Sequence, residues 1–238
     1  MSCKEIPIKM QHCLASTGKY KFKKVSTWNV KTALAEVGGL GKPSKMPTFS
    51  YNLPAEECNV GSKLRLVKGS VCSLCYALKG RYMFPNVQNA LYKRLDLMRN
   101  NPNWVRAMAW LINWYGKKTS YFRWHDSGDV QDMEHLKKIV KVVKLTPTVK
   151  HWLPTREAKI VKEYTKEYGD FPSNLIVRVS ATMIDGKPHK FHIHTSTVVS
   201  ESKKAVDWVC PSNQQDNECK DCRACWDKDV KDVAYIQH

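Results

Sequence analysis

From Tyr121 onward, short apolar runs alternate with longer stretches whose apolar residues recur every three or four positions. A run such as Leu175-Ile-Val-Arg-Val-Ser180 has the length and β-branched content of a buried strand, and the stretches between have helical spacing. This rhythm is characteristic of parallel strands joined by crossover helices. It predicts strands over 121–125, 149–153, 175–180, 196–199, 206–210 and 233–236, the second of these ended by Pro154-Thr155-Arg156, with helices over 131–144 and from after Arg156 through Tyr168. Upstream, a short strand from Thr48 is ended by Pro54, and helices are expected over 86–100 and 103–115, with Gly116 as a stop. Six or seven short strands with mostly helical crossovers fit an α/β fold, a partial or complete TIM-like β/α barrel. A doubly wound open sheet is the alternative.

Residues 1–48 read differently. They are basic and broken by Gly38-Gly39, Gly41 and Pro43, so a basic N-terminal arm or cap is expected there, ahead of a barrel-like domain over 49–238. A hydrophobic fraction of 42% in 238 residues fills a core without disulfides. The first residues lack a signal-like apolar segment, which reads as a cytoplasmic protein, and no apolar run approaches the ~18 residues of a membrane span. No internal repeat is evident. The net charge of +17, from 39 Lys+Arg against 22 Asp+Glu, points to an acidic partner such as nucleic acid. Lys19, Lys21, Lys23 and Lys24 interleave with Tyr20 and Phe22, a pattern that suits phosphate contact and base stacking, and equally a basic edge strand.

The nine cysteines change the picture. Cys219, Cys222 and Cys225 have the C-x2-C-x2-C spacing that places three thiolates around one centre, and Cys210, before Pro211, is a natural fourth ligand. A 4Fe-4S iron-sulfur cluster is the first expectation and zinc the alternative. Cys58, Cys72 and Cys75 form a second set, once Cys3 and Cys13 near the N-terminus are put aside. Two arrangements remain open: a closed four-cysteine cluster beside a three-cysteine cluster with an open iron, or a single site drawing on both sets. Trp226 would shield such a cluster from water.

Functional groups in either architecture gather past the carboxyl ends of the strands. That rule collects Cys58, Cys72 and Cys75, the turn His125-Asp126-Ser127-Gly128-Asp129, Thr155 and Arg156, Ser180 and Thr182, Cys210 and His238 at one mouth. His125, Asp126, Asp129 and Arg156 are the candidate catalytic residues. His125 is expected to move a proton near neutral pH, and the carboxylates to bind a cation, ribose or amine. Ser127 and Ser180 are candidate cofactor-binding residues, although Ser127 or Asp129 also suits a helix cap. His189, His192 and His194 read as exposed loop histidines.

Ser50-Tyr-Asn-Leu-Pro54, Cys72-Ser-Leu-Cys-Tyr-Ala77, Arg123-Trp-His-Asp-Ser-Gly-Asp129 and the terminal Cys-x2-Cys-x2-Cys-Trp together resemble the bacteriophage gene product eighty-eight family, over roughly 46–238. The order of features also resembles the radical S-adenosylmethionine superfamily, which implies a partial β/α barrel and a cluster with one open iron. That superfamily's loop is C-x3-C-x2-C, whereas thirteen residues separate Cys58 from Cys72 here, so S-adenosylmethionine itself is not carried over. The resulting expectation is an iron-sulfur phage protein with a redox or radical role and a small molecule or host protein as partner. The alternatives are a zinc-stabilised nucleic-acid-binding protein and a non-catalytic electron carrier or regulator. Whether the chain is an enzyme is left open.

Overall fold

The computed structural model describes residues 20–25 and 28–237. Cys3, Cys13, Lys19 and His238 therefore lie outside the described residues. The strands are β1 (Ser50–Tyr51), β2 (Tyr121–Trp124), β3 (Lys150–Thr155), β4 (Leu175–Ser180), β5 (Thr195–Val199), β6 (Trp208–Val209) and β7 (Asp232–Ile236). The helices are α1 (Val30–Val37), α2 (Asn59–Leu64), α3 (Pro85–Asn100), α4 (Trp104–Thr119), α5 (Met133–Lys144) and α6 (Ala158–Tyr168).

All seven strands pair in parallel in the order β1-β2-β3-β4-β5-β7-β6. The first five follow chain order, as singly wound barrel strands do. No ladder joins β1 to β6 among the described residues, so the sheet is not closed by hydrogen bonding. Helical crossovers stop after β4: the links to β5, β6 and β7 are turns and short 3-10 segments.

One face of the sheet carries the apolar core. Phe122, Trp124, Leu153, Leu175, Val177 and Val179 pack with Ala33 and Val37 of α1, Leu95 and Met98 of α3, Trp104, Met108, Leu111 and Ile112 of α4, Leu136, Ile139 and Val143 of α5, and Val161 of α6. Burying each large aliphatic side chain contributes about 1.5–3 kcal/mol, so this face anchors the sheet. Alternate strand residues point the other way. There Arg123, Trp152, Arg178 and Ser180 face the cysteine-bearing segments.

The stretch from Trp28 to Thr48 is part of this core, not an arm. Asn29 and Thr32 form a reciprocal capping box, Gly38 at φ 77° ends α1, and Ala33 and Val37 are fully buried. The glycine-rich stretch after α1 masks these two amphipathic turns in the composition of the segment.

Two boundaries also shift. Gly116 does not stop α4, which runs to Thr119; a Cβ there would lie 2.5 Å from Val149 Cγ2, so Gly116 allows close helix–sheet packing. Pro154 does not end β3, because β2 pairs only as far as Trp152 and the missing N–H falls beyond that ladder.

Candidate functional site

The carboxyl ends of β2, β3, β4, β5 and β7 open into a cavity of about 380 Å³. Its second wall is the segment after β1, a short helix followed by three 3-10 turns. That segment is pinned across the strand ends: Val71 N–H donates to Thr182 O at 2.9 Å, and Ile184 N–H to Gly69 O at 3.0 Å. Glu157, after β3, accepts from Val60 N–H at 2.9 Å and so fixes the start of α2. Thus Cys58, Cys72 and Cys75 are brought to the same cavity as His125, Asp126, Ser127, Asp129, Thr155, Arg156 and Ser180.

Within that cavity the residues play different parts. Asp129 is buried and accepts from Thr155 Oγ1 at 2.6 Å, Val130 N–H at 2.7 Å and Arg156 N–H at 2.8 Å. It ties the β2 turn to the end of β3. Burial raises its carboxyl's pKa against the pull of these bonds. Ser127 Oγ donates to Leu53 O at 3.0 Å, and Gly128 at φ 76° lies against Leu53, where a Cβ would come within 2.6 Å of the leucine Cβ. Ser180 Oγ and Ser196 Oγ share a hydrogen bond of 2.9 Å. Asp126 meets Arg123 at 3.2 Å and Tyr82 OH at 3.0 Å, and its carbonyl accepts from the Tyr76 hydroxyl.

Four lining residues keep a buried polar atom without a partner: Arg123 at Nε, Trp152 at Nε1, Arg156 at Nε and His125 at both ring nitrogens. His125 sits at φ 54°, is 3% exposed, and neither ring nitrogen has a hydrogen-bond partner. Burial, helped by the nearby Arg123 charge, lowers its pKa to about 3, so the ring is neutral at physiological pH and meets a substrate as a proton acceptor or neutral donor. Arg156 has a buried Nε with no partner, and its charge acts on both Asp129 and Cys72.

The seven described cysteines are free thiols, all half-buried, and they fall into two groups. In the first, Cys58 and Cys72 close over Gly61. A Cβ on Gly61 would lie 3.7 Å from each sulfur and 2.9 Å from Cys58 Cβ. Burial raises the Cys58 thiol, with Asp129, Cys75 and Cys72 adding; at Cys72 burial also raises the thiol while Arg156 opposes.

The second group lies beside Tyr235, which lines the cavity and whose hydroxyl is 3.3 Å from Cys225 Sγ. Burial pushes Cys225 up to about 12, Cys219 is raised as well, and the Cys210 sulfur adds to both. Cys210, Cys219, Cys222 and Cys225 do not line the cavity. Their segment is held by Arg178, fully buried on β4, which donates to the carbonyls of Ala224, Cys225, Asp227, Val230, Lys231 and Thr195 at 2.8–3.4 Å. Trp226 packs on Trp152 and donates to Phe122 O at 2.9 Å. Among the described residues no three His, Cys, Asp or Glu side chains stand in position to hold a metal ion, so both groups are gathered without ligating geometry.

Arg178, Tyr235 and Arg123 were not singled out as site residues by sequence reasoning. An arginine inside an otherwise apolar strand, Leu-Ile-Val-Arg-Val, was the available signal for the first. His192 and His194 are partly buried and contact the carbonyls of Val177 and Lys228, which uses them structurally.

A family model described as Gene product 88 matches residues 27–233. No curated protein and no solved structure matches the chain. The likeness to the radical S-adenosylmethionine superfamily receives no support from these comparisons.

Proposed function

Starting from a chain that belongs to the Gene product 88 family, we propose an iron-sulfur protein in which a substrate enters the cavity beside the three-cysteine group. The observation that carries this reading is the division of the thiols. Three line the cavity with Arg156, and four lie outside it, with Cys225 Sγ 3.3 Å from the hydroxyl of the lining Tyr235. A group of four thiolates suits a closed cube, and a group of three suits a cube with one corner free for a ligand. The sulfurs that act on Cys58 and Cys72 are those of their own group, and those that act on Cys219 and Cys225 are Cys210 and Cys222. That separation favours two sites over one shared site.

The fit rests on donor chemistry and on Gly61. A side chain at position 61 would fill the space between Cys58 and Cys72. The tail group is carried on short 3-10 turns at Pro211–Gln214 and Ala224–Trp226 and on the segment between them, outside the strands of the sheet. When bound, a cluster supplies one-electron redox chemistry. The chain's own residues do the rest. Arg156 offers a guanidinium with an unpaired buried Nε to an anionic substrate group, the Ser180–Ser196 hydroxyl pair lines the same wall, and neutral His125 offers a ring nitrogen as donor or acceptor.

The test is iron, acid-labile sulfide and zinc per chain on protein purified without oxygen. Two cubes give about eight iron with matching sulfide. Cys222→Ser with Cys225→Ser should remove about half, and Cys58→Ser with Cys72→Ser the other half. Zinc without sulfide would replace this reading with a structural zinc site, for which the same thiolates suffice.

A further inference from the structure

Beside the main cavity lies a second recess of about 380 Å³, lined by Lys42, Asn52, Arg81, Tyr82, Arg94 and Asp126. Asp126 borders both spaces. Its carboxylate is already engaged by Arg123, Tyr82 and Asn52, so it does not neutralise the recess. None of Lys42, Arg81 and Arg94 pairs with a carboxylate among the described residues. Arg94, which lines the recess, is oriented by its Nε, which donates to Gly38 O at 3.2 Å.

The wall between this recess and the main mouth is cationic throughout. Residues 59–84 carry Lys63, Arg65, Lys68, Lys79 and Arg81 and no Asp or Glu, and all five are exposed. The same wall exposes flat or apolar side chains: Tyr76 at 57%, Phe84 at 55%, Met83 at 52% and Leu74 at 50%. Cations flanking exposed rings are what a single strand of nucleic acid requires, phosphates on the first and bases on the second. An acidic protein surface would use the charges and leave the rings and the recess unexplained.

We infer that the mouth binds a single-stranded nucleic-acid segment, with one phosphate in the Lys42–Arg81–Arg94 recess, bases against Tyr76 and Phe84, and one nucleotide unit directed into the main cavity. The inference rests on the cavity being a substrate site and is independent of the cluster. It assigns the anionic group met by Arg156 to the nucleotide that enters.

The experiment is fluorescence anisotropy with labelled oligothymidylate and oligouridylate of about 12 nucleotides, within the usual range of single-strand site sizes, the two arms separating DNA from RNA. Binding should weaken with salt, with a slope of about −0.7 per phosphate neutralised. The K42M/R81M variant, altered only at exposed positions, should bind at least about tenfold more weakly and with a shallower slope. Tyr76→Ala should lose about five- to 150-fold at unchanged slope, and Tyr76→Phe, which keeps the ring, should restore most of it. Equal competition by thymidine monophosphate, polyglutamate or duplex DNA would overturn the inference, as would K42M/R81M binding like the parent. Iron and sulfide are measured on the same samples. Lost strand binding with intact cluster content removes only this inference, and lost cluster content with intact binding removes only the iron-sulfur reading.

Discussion

Replacing Arg178 by Met keeps the stem's bulk and deletes the charge that holds the cysteine tail. Arg178 is fully buried, and its three donor groups serve six carbonyls, five of them between Ala224 and Lys231. Hydrogen bonds to a charged group contribute about 1.5–3 kcal/mol each, but six that share three nitrogens do not add, and the carbonyls left behind partly turn to water. Breaking a buried charged network by removing one member costs about 3–5 kcal/mol, and that range is the expectation here. Against a whole-domain stability of about 5–15 kcal/mol the variant still folds, with a tail that opens before the sheet does. Urea denaturation measures the first quantity. Native-state trypsin digestion measures the second, through faster cutting at the exposed Lys220 and the neighbouring Arg223 and Lys228. Arg178→Lys, with three donors on a point charge, should fall between. An Arg178→Met protein within about 1 kcal/mol of the parent, with unchanged cutting, would refute the claim that this side chain holds the tail.

Gly116→Ala offers a test of opposite sign to the usual one. Alanine in a helix interior is favoured over glycine by about 1 kcal/mol, yet the Val149 Cγ2 atom 2.5 Å from the new Cβ should turn this into a loss of about 1–3 kcal/mol, read by thermal or urea unfolding. Gly61→Ala should push Cys58 aside, since its Cβ lies 2.9 Å away, and lower metal content in the three-cysteine group without altering the tail group; equal content in both would count against Gly61 as a spacer. Asp185 pairs with Lys204 at 2.7 Å and accepts from Ser200 N–H, and these hold its pKa at about 2, below its ordinary 3.8. A carboxylate depressed in the folded state stabilises above its unfolded pKa and loses that contribution as pH falls through its folded pKa. Asp185→Asn should therefore remove stability at pH 5–7 and flatten its decline between about pH 4 and 2, as followed by urea midpoints across pH.

The sequence alone determined the parallel α/β rhythm, because strands buried on both faces and amphipathic crossovers differ in period. Leu175–Ser180 was read at its observed bounds, and the helices ending at Asn100 and Lys144 were read to their last residue. It also placed Cys58, Cys72, Cys75, His125, Asp129 and Arg156 at one mouth, since parallel strands put their carboxyl ends on one side. Tertiary structure decided the rest. Whether a sheet closes depends on the pairing of its edges, which no local pattern encodes, and among the described residues no ladder joins β1 to β6. The helix at Val30–Val37 belongs to the core because α4 and the sheet need a partner there. Asp129 became a brace when Thr155 and Arg156 arrived from β3, and His125 became a neutral ring when burial removed its water. Arg178 gained its role only because the tail's carbonyls fold onto β4, some 46 to 53 residues further along the chain. Local sequence carries periodicity and spacing, whereas which polar group meets which, and how much water is left between them, is set by contacts between residues far apart in the chain.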